Sequence, residues 1–303
     1  MAELTIRTRT AAAGLAWVRA GLRLFARRPL VIVVLVAFGP LLNWTLGLLP
    51  IVGTPFALIL FPTISIGMLA VCRAVDEGAM PGLASYTAAL RDPFARFQLL
   101  KIGVYYALVI GTLLTVWSLL PADPASATES PPPVATAPAI VPDGSAAPGA
   151  LPAPAAPAAA NEPPAPDLAL TPARAVMLLT GLAILVPLQM TIWFAPALVA
   201  WHRMPASKAL FFSFFACWRN RAPLLVFLLA LFGLACIAVL AFAALIGLLN
   251  AKDGLAQYLL APPPLLLLAI TQTSTLAMYR DVVVDDSDLR GQEAGSQEPG
   301  ATA

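Results

Sequence analysis

The chain has 303 residues, of which 59% are apolar and only 11% charged, and its mean hydropathy is +0.83. A soluble protein of this length would be about a quarter charged and about half apolar, so the composition excludes an ordinary soluble domain and points to a membrane protein. The net charge of +2 is small and spread out; it offers no nucleic-acid surface, and in a membrane protein the placement of cations matters more than their sum.

The first 29 residues carry Arg7, Arg9, Arg19, Arg23, Arg27 and Arg28. That is more cation than a signal peptide needs, and the apolar run that follows is too long for one, so the first span is expected to remain as an anchor. Arg19, Arg23 and Arg27 recur every four residues, on one helix face, with Leu15, Val18, Leu22 and Phe25 on the other. This arm, 1–29, is expected to hold an amphipathic helix lying in the headgroups.

Apolar runs then follow at about 30–49, 52–72, 99–120, 175–201, 223–249 and 255–279, each near the roughly 20 residues a spanning helix needs. The expected fold is all-α: a polytopic membrane helical bundle of six transmembrane helices with basic amphipathic interfacial helices. Residues 30–120 would hold spans one to three and residues 173–280 spans four to six. The first two runs, and the last two, are close enough to form hairpins.

Two inner-loop segments repeat the amphipathic theme. Leu83, Tyr86, Leu90, Phe94 and Phe97 keep helical spacing, broken at Asp92-Pro93. Further on, Ala209, Leu210, Phe211, Phe212, Phe214, Phe215 and Trp218 dominate, with Lys208, Ser213 and Cys217 on a narrow polar strip. The order interfacial helix, outward span, returning span recurs, and Arg27-Arg28-Pro29 reads like Arg221-Ala222-Pro223. Returning spans end in arginine, at Arg73, Arg203 and Arg280. A threefold helix-hairpin repeat is therefore a candidate organisation.

Between the third and fourth runs, residues 121–172 are rich in Pro and Ala and lack any aromatic residue, which predicts a disordered periplasmic loop. Residues 281–303 are acidic and polar and are expected to form a disordered cytoplasmic tail. Of the 18 Lys and Arg residues, sixteen fall on the side of the two termini and only Arg174 and Lys252 on the other. This bias predicts both termini in the cytoplasm.

No motif for chemistry is present. There is no phosphate-binding glycine loop, no zinc-protease helix and no nucleophile elbow, so no catalytic, cofactor or metal residue is assigned and the chain is read as a non-enzyme. Cys72, Cys217 and Cys236 have no partner at metal spacing and read as small apolar fillers. The lone His202, between Trp201 and Arg203, reads as an interfacial anchor. No span interior carries Asp, Glu, Lys or Arg, which disfavours an ion-coupled carrier. The polar intramembrane residues, including Thr271 to Thr275, read as interhelical hydrogen-bonding groups. Pro187 near Gln189, and Pro262 to Pro264 before Gln272, make these two glutamines the candidate cavity. Arg19, Arg23, Arg27 and Lys208 are the candidate lipid-binding residues, for anionic phospholipids.

Trp193-Phe-Ala-Pro-Ala-Leu-Val-Ala-Trp-His202, with Lys208 to Phe214 and Ala216 to Arg219, resembles a known family. Pro62-Thr-Ile-Ser-Ile-Gly-Met68 leading to Cys72-Arg73-Ala74, and Tyr279-Arg280-Asp281, share the resemblance. The family is a set of uncharacterised multi-pass inner-membrane proteins of beta- and gammaproteobacteria. The resemblance covers nearly all the chain outside 121–172 and implies an all-α fold in the bacterial inner membrane, with no established activity. The expected function is a structural or lipid-interacting inner-membrane protein, alone, as a homo-oligomer or with membrane-protein partners. The alternative is a permease or transporter subunit for a small or apolar solute.

Overall fold

A computed structural model of the chain describes residues 4–50, 52–119, 172–249 and 262–285. The expected periplasmic loop, the turn before the last helix and most of the expected tail lie outside these residues. The chain divides into two compact units. The larger comprises Met1–Thr112 and Leu182–Ala303, and the smaller Leu113–Gly181. In the smaller unit Gly181 lies against the indole of Trp117.

The described elements are β1 (Leu4–Ile6), α1 (Ala12–Arg27), α2 (Pro29–Gly47), α3 (Gly53–Asp76), α4 (Ala84–Ala88) and α5 (Pro93–Leu119). They continue with α6 (Pro172–Ile192), α7 (Ala195–His202), α8 (Ala206–Arg219), α9 (Arg221–Leu248), α10 (Pro262–Val282) and β2 (Val283–Asp285). The protein is an all-α membrane bundle. Among the described residues five helical stretches are long and apolar enough to cross a membrane: α2, α3, α5, Leu179–His202 and α9. They match the first five expected spans. The sixth expected run coincides with α10, whose Thr271-Gln-Thr-Ser-Thr275 core lowers its hydropathy below theirs.

Burial explains why α10 tolerates those groups. It packs against α1, α2, α3 and α9, and Ala269, Thr273, Ser274, Leu276 and Met278 are almost fully enclosed. By contrast α5 and α9 turn most of their leucines, valines and phenylalanines outward, as helices facing lipid do, and α2 exposes Leu30, Val34, Leu41 and Trp44. In lipid, helix association rests on close packing rather than on the hydrophobic effect. Glycines provide that closeness. A Cβ on Gly14 would lie 2.2 Å from the Pro223 carbonyl oxygen of α9, and one on Gly21 would lie 2.0 Å from Ser274 Oγ of α10.

Those two glycines change the expected placement of α1. Its buried face is Gly14, Trp17, Val18, Gly21 and Leu24, set against α9 and α10. Of the expected apolar face, Val18 is buried and Phe25 half-buried, but Leu15 and Leu22 are exposed. Glycine carries no hydropathy signal, so a face built for backbone contact is missed by an apolar pattern. The second amphipathic stretch is also shorter than expected. Asp92 Oδ1 accepts from the Phe94 amide at 3.0 Å, which caps α5 at Pro93 and leaves α4 as a five-residue helix. The single buried side chain of α4 is Tyr86, which lies over Gly67 and donates to the Leu35 carbonyl at 2.7 Å.

The span Leu179–His202 is broken into α6 and α7. Pro196 removes one backbone donor, and the Ser213 hydroxyl of α8 is inserted between a donor and an acceptor four residues apart. It accepts from the Phe194 amide at 2.9 Å and donates to the Met190 carbonyl at 2.8 Å. Such a break is tolerated because protein, not lipid, meets the freed groups.

The first residues of the expected disordered tail are ordered. α10 runs to Val282, and β2 pairs antiparallel with β1, with Leu4 opposite Asp285 and Ile6 opposite Val283. Val282 to Val284 are β-branched and buried, which suits a strand better than a solvated tail. Two strands alone are marginal, and side chains anchor them. Asp281 accepts from the Trp17 indole at 2.8 Å and pairs with Arg9. The buried Asn220 accepts from the Arg9 amide at 2.8 Å and donates to the Arg7 carbonyl at 3.0 Å. Both ends of the described chain thus meet on one face.

Candidate functional site

Three helix ends converge beside that face. The end of α1 brings Leu24 and Arg27, with Arg23 one turn earlier; the end of α3 brings Asp76, and α10 brings Leu276, Ala277 and Arg280. With Ala20 they line a cavity of about 330 Å³, near the lower limit of typical small-ligand sites. The cavity exists because Ala20 and Ala277 stop at Cβ where longer side chains would fill it.

Its electrostatics are lopsided. Asp76 is the sole carboxylate in the lining, and two arginines already hold it. Arg27 Nη1 lies 3.1 Å from Asp76 Oδ1, and Arg280 pairs with Asp76 Oδ2. Nearby, Arg73 Nε lies 2.7 Å from Glu77 Oε1, which is also 3.9 Å from Arg280 Nη2. Arg73 further covers the Trp201 ring at 4.8 Å. These side chains are a quarter to more than half exposed, so each pair is weak alone. Among the described residues Arg23 is exposed and makes no ion pair.

The sequence-derived lipid candidates therefore separate. Arg23 and Arg27 reach the cavity, while Arg19 stays exposed on the outer side of α1 and outside the lining. Lys208 sits on α8 with its ammonium 5.5 Å from the Phe212 ring centre. Asp76 and Arg280 were not singled out as site residues; the signal was the arginine that closes each returning span.

α8 is turned inside out relative to a helix in water. Its small and polar residues Ala209, Ser213, Ala216 and Cys217 face the protein, while Phe211, Phe215 and Trp218 are 59%, 39% and 51% exposed. Phe211 and Phe215 rings lie 4.5 Å apart, and Arg221 covers Trp218 at 5.7 Å. Burial pushes the Cys217 thiol up to about 12, which makes it inert.

The two glutamines are not brought to one cavity. Gln189 lines a space of about 270 Å³ with Tyr106, Ile110, Leu185, Val186 and Leu188. Gln272 is absent from that lining, and its Nε2 lies 4.0 Å from Met68 Sδ. His202 packs near Tyr279, with ring centres 6.3 Å apart, in a cluster with Phe194 and Trp201. Among the described residues no group of three His, Cys, Asp or Glu side chains is placed to hold a metal ion.

Comparison with known proteins places the chain. It is 30% identical, over 311 residues, to a Burkholderia thailandensis protein described as a "probable inner membrane protein", an alignment covering 96% of this chain and 94% of that one. The chain belongs to this inner-membrane protein family. No family model matches it, and no solved structure matches it either. Membership of the family fixes the inner membrane as the setting for the bundle; it carries no activity with it.

Proposed function

We propose that this inner-membrane family member is a non-enzymatic, lipid-interacting protein that grips the cytoplasmic leaflet. The observation that carries the reading is the aromatic face of α8. Its Phe211, Phe215 and Trp218 point outward beside Lys208, Arg219 and Arg221, the composition of a helix seated at an anionic interface. Basic residues at such a surface contribute about 1 kcal/mol each. Arg19 and Arg23 of α1 add to the same side.

The orientation follows from two supports. The cation bias favours the cytoplasm for both termini. The β1–β2 pairing requires an even number of crossings between Ile6 and Val283, which five apolar stretches plus α10 provide. A permease role has less support, because Gln189 and Gln272 do not share a cavity.

The test replaces Arg19, Arg23 and Lys208 by Gln together and measures phosphatidylglycerol retention by native mass spectrometry. Three exposed charges at about 1 kcal/mol each predict a loss of up to about 3 kcal/mol, part of it mimicked by raised salt. Reporter fusions at residue 150 and at the C-terminus should report opposite sides. Unchanged retention, or both reporters on one side, would overturn the reading.

A further inference from the structure

We infer that the cavity between α1, α3 and α10 is a discrete binding site for a phosphate group, in which Asp76 is a built-in competitor for the arginines. The inference rests on the lipid-interacting reading above and makes it local, with the headgroup of an anionic phospholipid as the favoured source of the phosphate.

Helix-end electrostatics account for part of the arginine cluster. The C-termini of α1, α3 and α10 each carry about half a negative charge, and cations in the last turn offset it. That explains Arg27, Arg73 and Arg280. It does not explain Arg23, which lies a full turn before the end of α1, lines the cavity and makes no ion pair among the described residues.

The donor count fits an oxyanion. A guanidinium has five N–H donors, and Asp76 engages Arg27 and Arg280 through a single nitrogen each. Most donors on those two, and all five on Arg23, are left for a second acceptor. Three arginines against one carboxylate leave the lining with two positive charges to spare. Phosphate is the acceptor that several arginines share best, because its oxygens accept from forked donors. Leu24 and Leu276 supply an apolar flank, as the junction of a headgroup and its glycerol would need.

The design predicts opposite responses from neighbouring residues. Arg23→Gln removes the unpaired donor and lowers affinity. Asp76→Asn removes the competitor and raises it. Ala277→Leu fills the cavity and lowers affinity with every charge intact. Arg91→Gln, exposed in the bend before α5 and outside the lining, serves as the control.

The experiment uses the full chain in nanodiscs or mild detergent, with native mass spectrometry scoring phosphatidylglycerol against phosphatidylcholine. We expect Arg23→Gln to lower phosphatidylglycerol retention about fivefold, the factor for one basic side chain at an anionic surface. Ala277→Leu should do the same, Asp76→Asn should raise retention severalfold, and Arg91→Gln should change it less than twofold. If Asp76→Asn fails to fold, Arg23→Gln with rescue by Arg23→Lys decides the point. Displacement of phosphatidylglycerol by millimolar inorganic phosphate in wild-type protein but not in Arg23→Gln would keep the site and assign it to a soluble phosphate compound. Equal losses for Arg23→Gln and Arg91→Gln, with Ala277→Leu silent, would overturn the cavity while leaving the diffuse lipid contact standing. No preference for phosphatidylglycerol in the wild type would overturn both.

Discussion

Ser213→Ala isolates the device that holds the broken span open. The hydroxyl is fully enclosed and bridges the Phe194 amide and the Met190 carbonyl, so its removal strands two backbone groups at once. Side-chain hydrogen bonds in membranes average only about 0.6 kcal/mol, because the partners find other acceptors when unfolded in lipid. The Phe194 amide is held in the bend between α6 and α7 and cannot rotate to a new partner, and an unsatisfied buried donor costs about 1–3 kcal/mol. Pro196 has no amide for the Ile192 carbonyl and its ring crowds that carbonyl, which disfavours a continuous helix through Phe194. The expected loss is therefore about 2 kcal/mol. Unfolding in mixed micelles titrated with dodecyl sulfate, followed by the fluorescence of the adjacent Trp193, would measure it. Ser207→Ala, exposed on the same helix, should stay within about 0.5 kcal/mol of the wild type. A Ser213→Ala variant as stable as that control would show that the helix closes its own gap and that the serine is a bystander.

Two further outcomes follow from packing. Gly21→Leu must push α1 away from the Ser274 backbone, whose Cα would lie 2.6 Å from the new Cβ, so monodisperse protein in detergent should fall sharply; Gly47→Ala, with nothing within 4 Å, should be silent. The Cys217 thiol, raised to about 12 by burial, is almost wholly protonated at neutral and mildly alkaline pH. Alkylation of its peptide in folded protein should therefore stay far slower than in unfolded protein at both pH 7 and pH 9, and equal rates would show that α8 opens.

The spans were legible because lipid imposes one requirement, and Leu30, Val52, Leu99 and Pro223 open apolar runs that meet it. The structure starts these helices within a few residues, at Pro29, Gly53, Pro93 and Arg221. What the sequence hid depends on which atoms touch. The arginine spacing on α1 was visible, but the face that packs is marked by Gly14 and Gly21, which register as neither polar nor apolar. Asp76 falls beyond the apolar run that ends at 72 and carries no motif, and only the fold sets it between Arg27 and Arg280, 49 and 204 residues away in sequence. The strand β2 was hidden in the same way, since Val282-Val-Val284 gains a partner only when residues 4–6 arrive beside it.

The polar run of α10 shows how far such reading can go. In the sequence Thr271 to Thr275 read as groups that bond to neighbouring helices. In the structure Thr271 Oγ1 donates to the Leu267 carbonyl at 2.8 Å, and Thr273 Oγ1 lies 3.2 and 3.0 Å from the Ala269 and Ile270 carbonyls. Both hydroxyls are satisfied within their own helix, so neither is spent on a neighbour or offered to a cavity. Back-bonded threonines present methyl groups outward, while the buried Ser274 hydroxyl lies against Gly21 and has no hydrogen-bond partner among the described residues. Thr271 and Thr273, expected to bond across to other helices, are instead closed on the helix that carries them. The polar chemistry left over sits one turn beyond, at Arg280, where α10 meets α1 and α3.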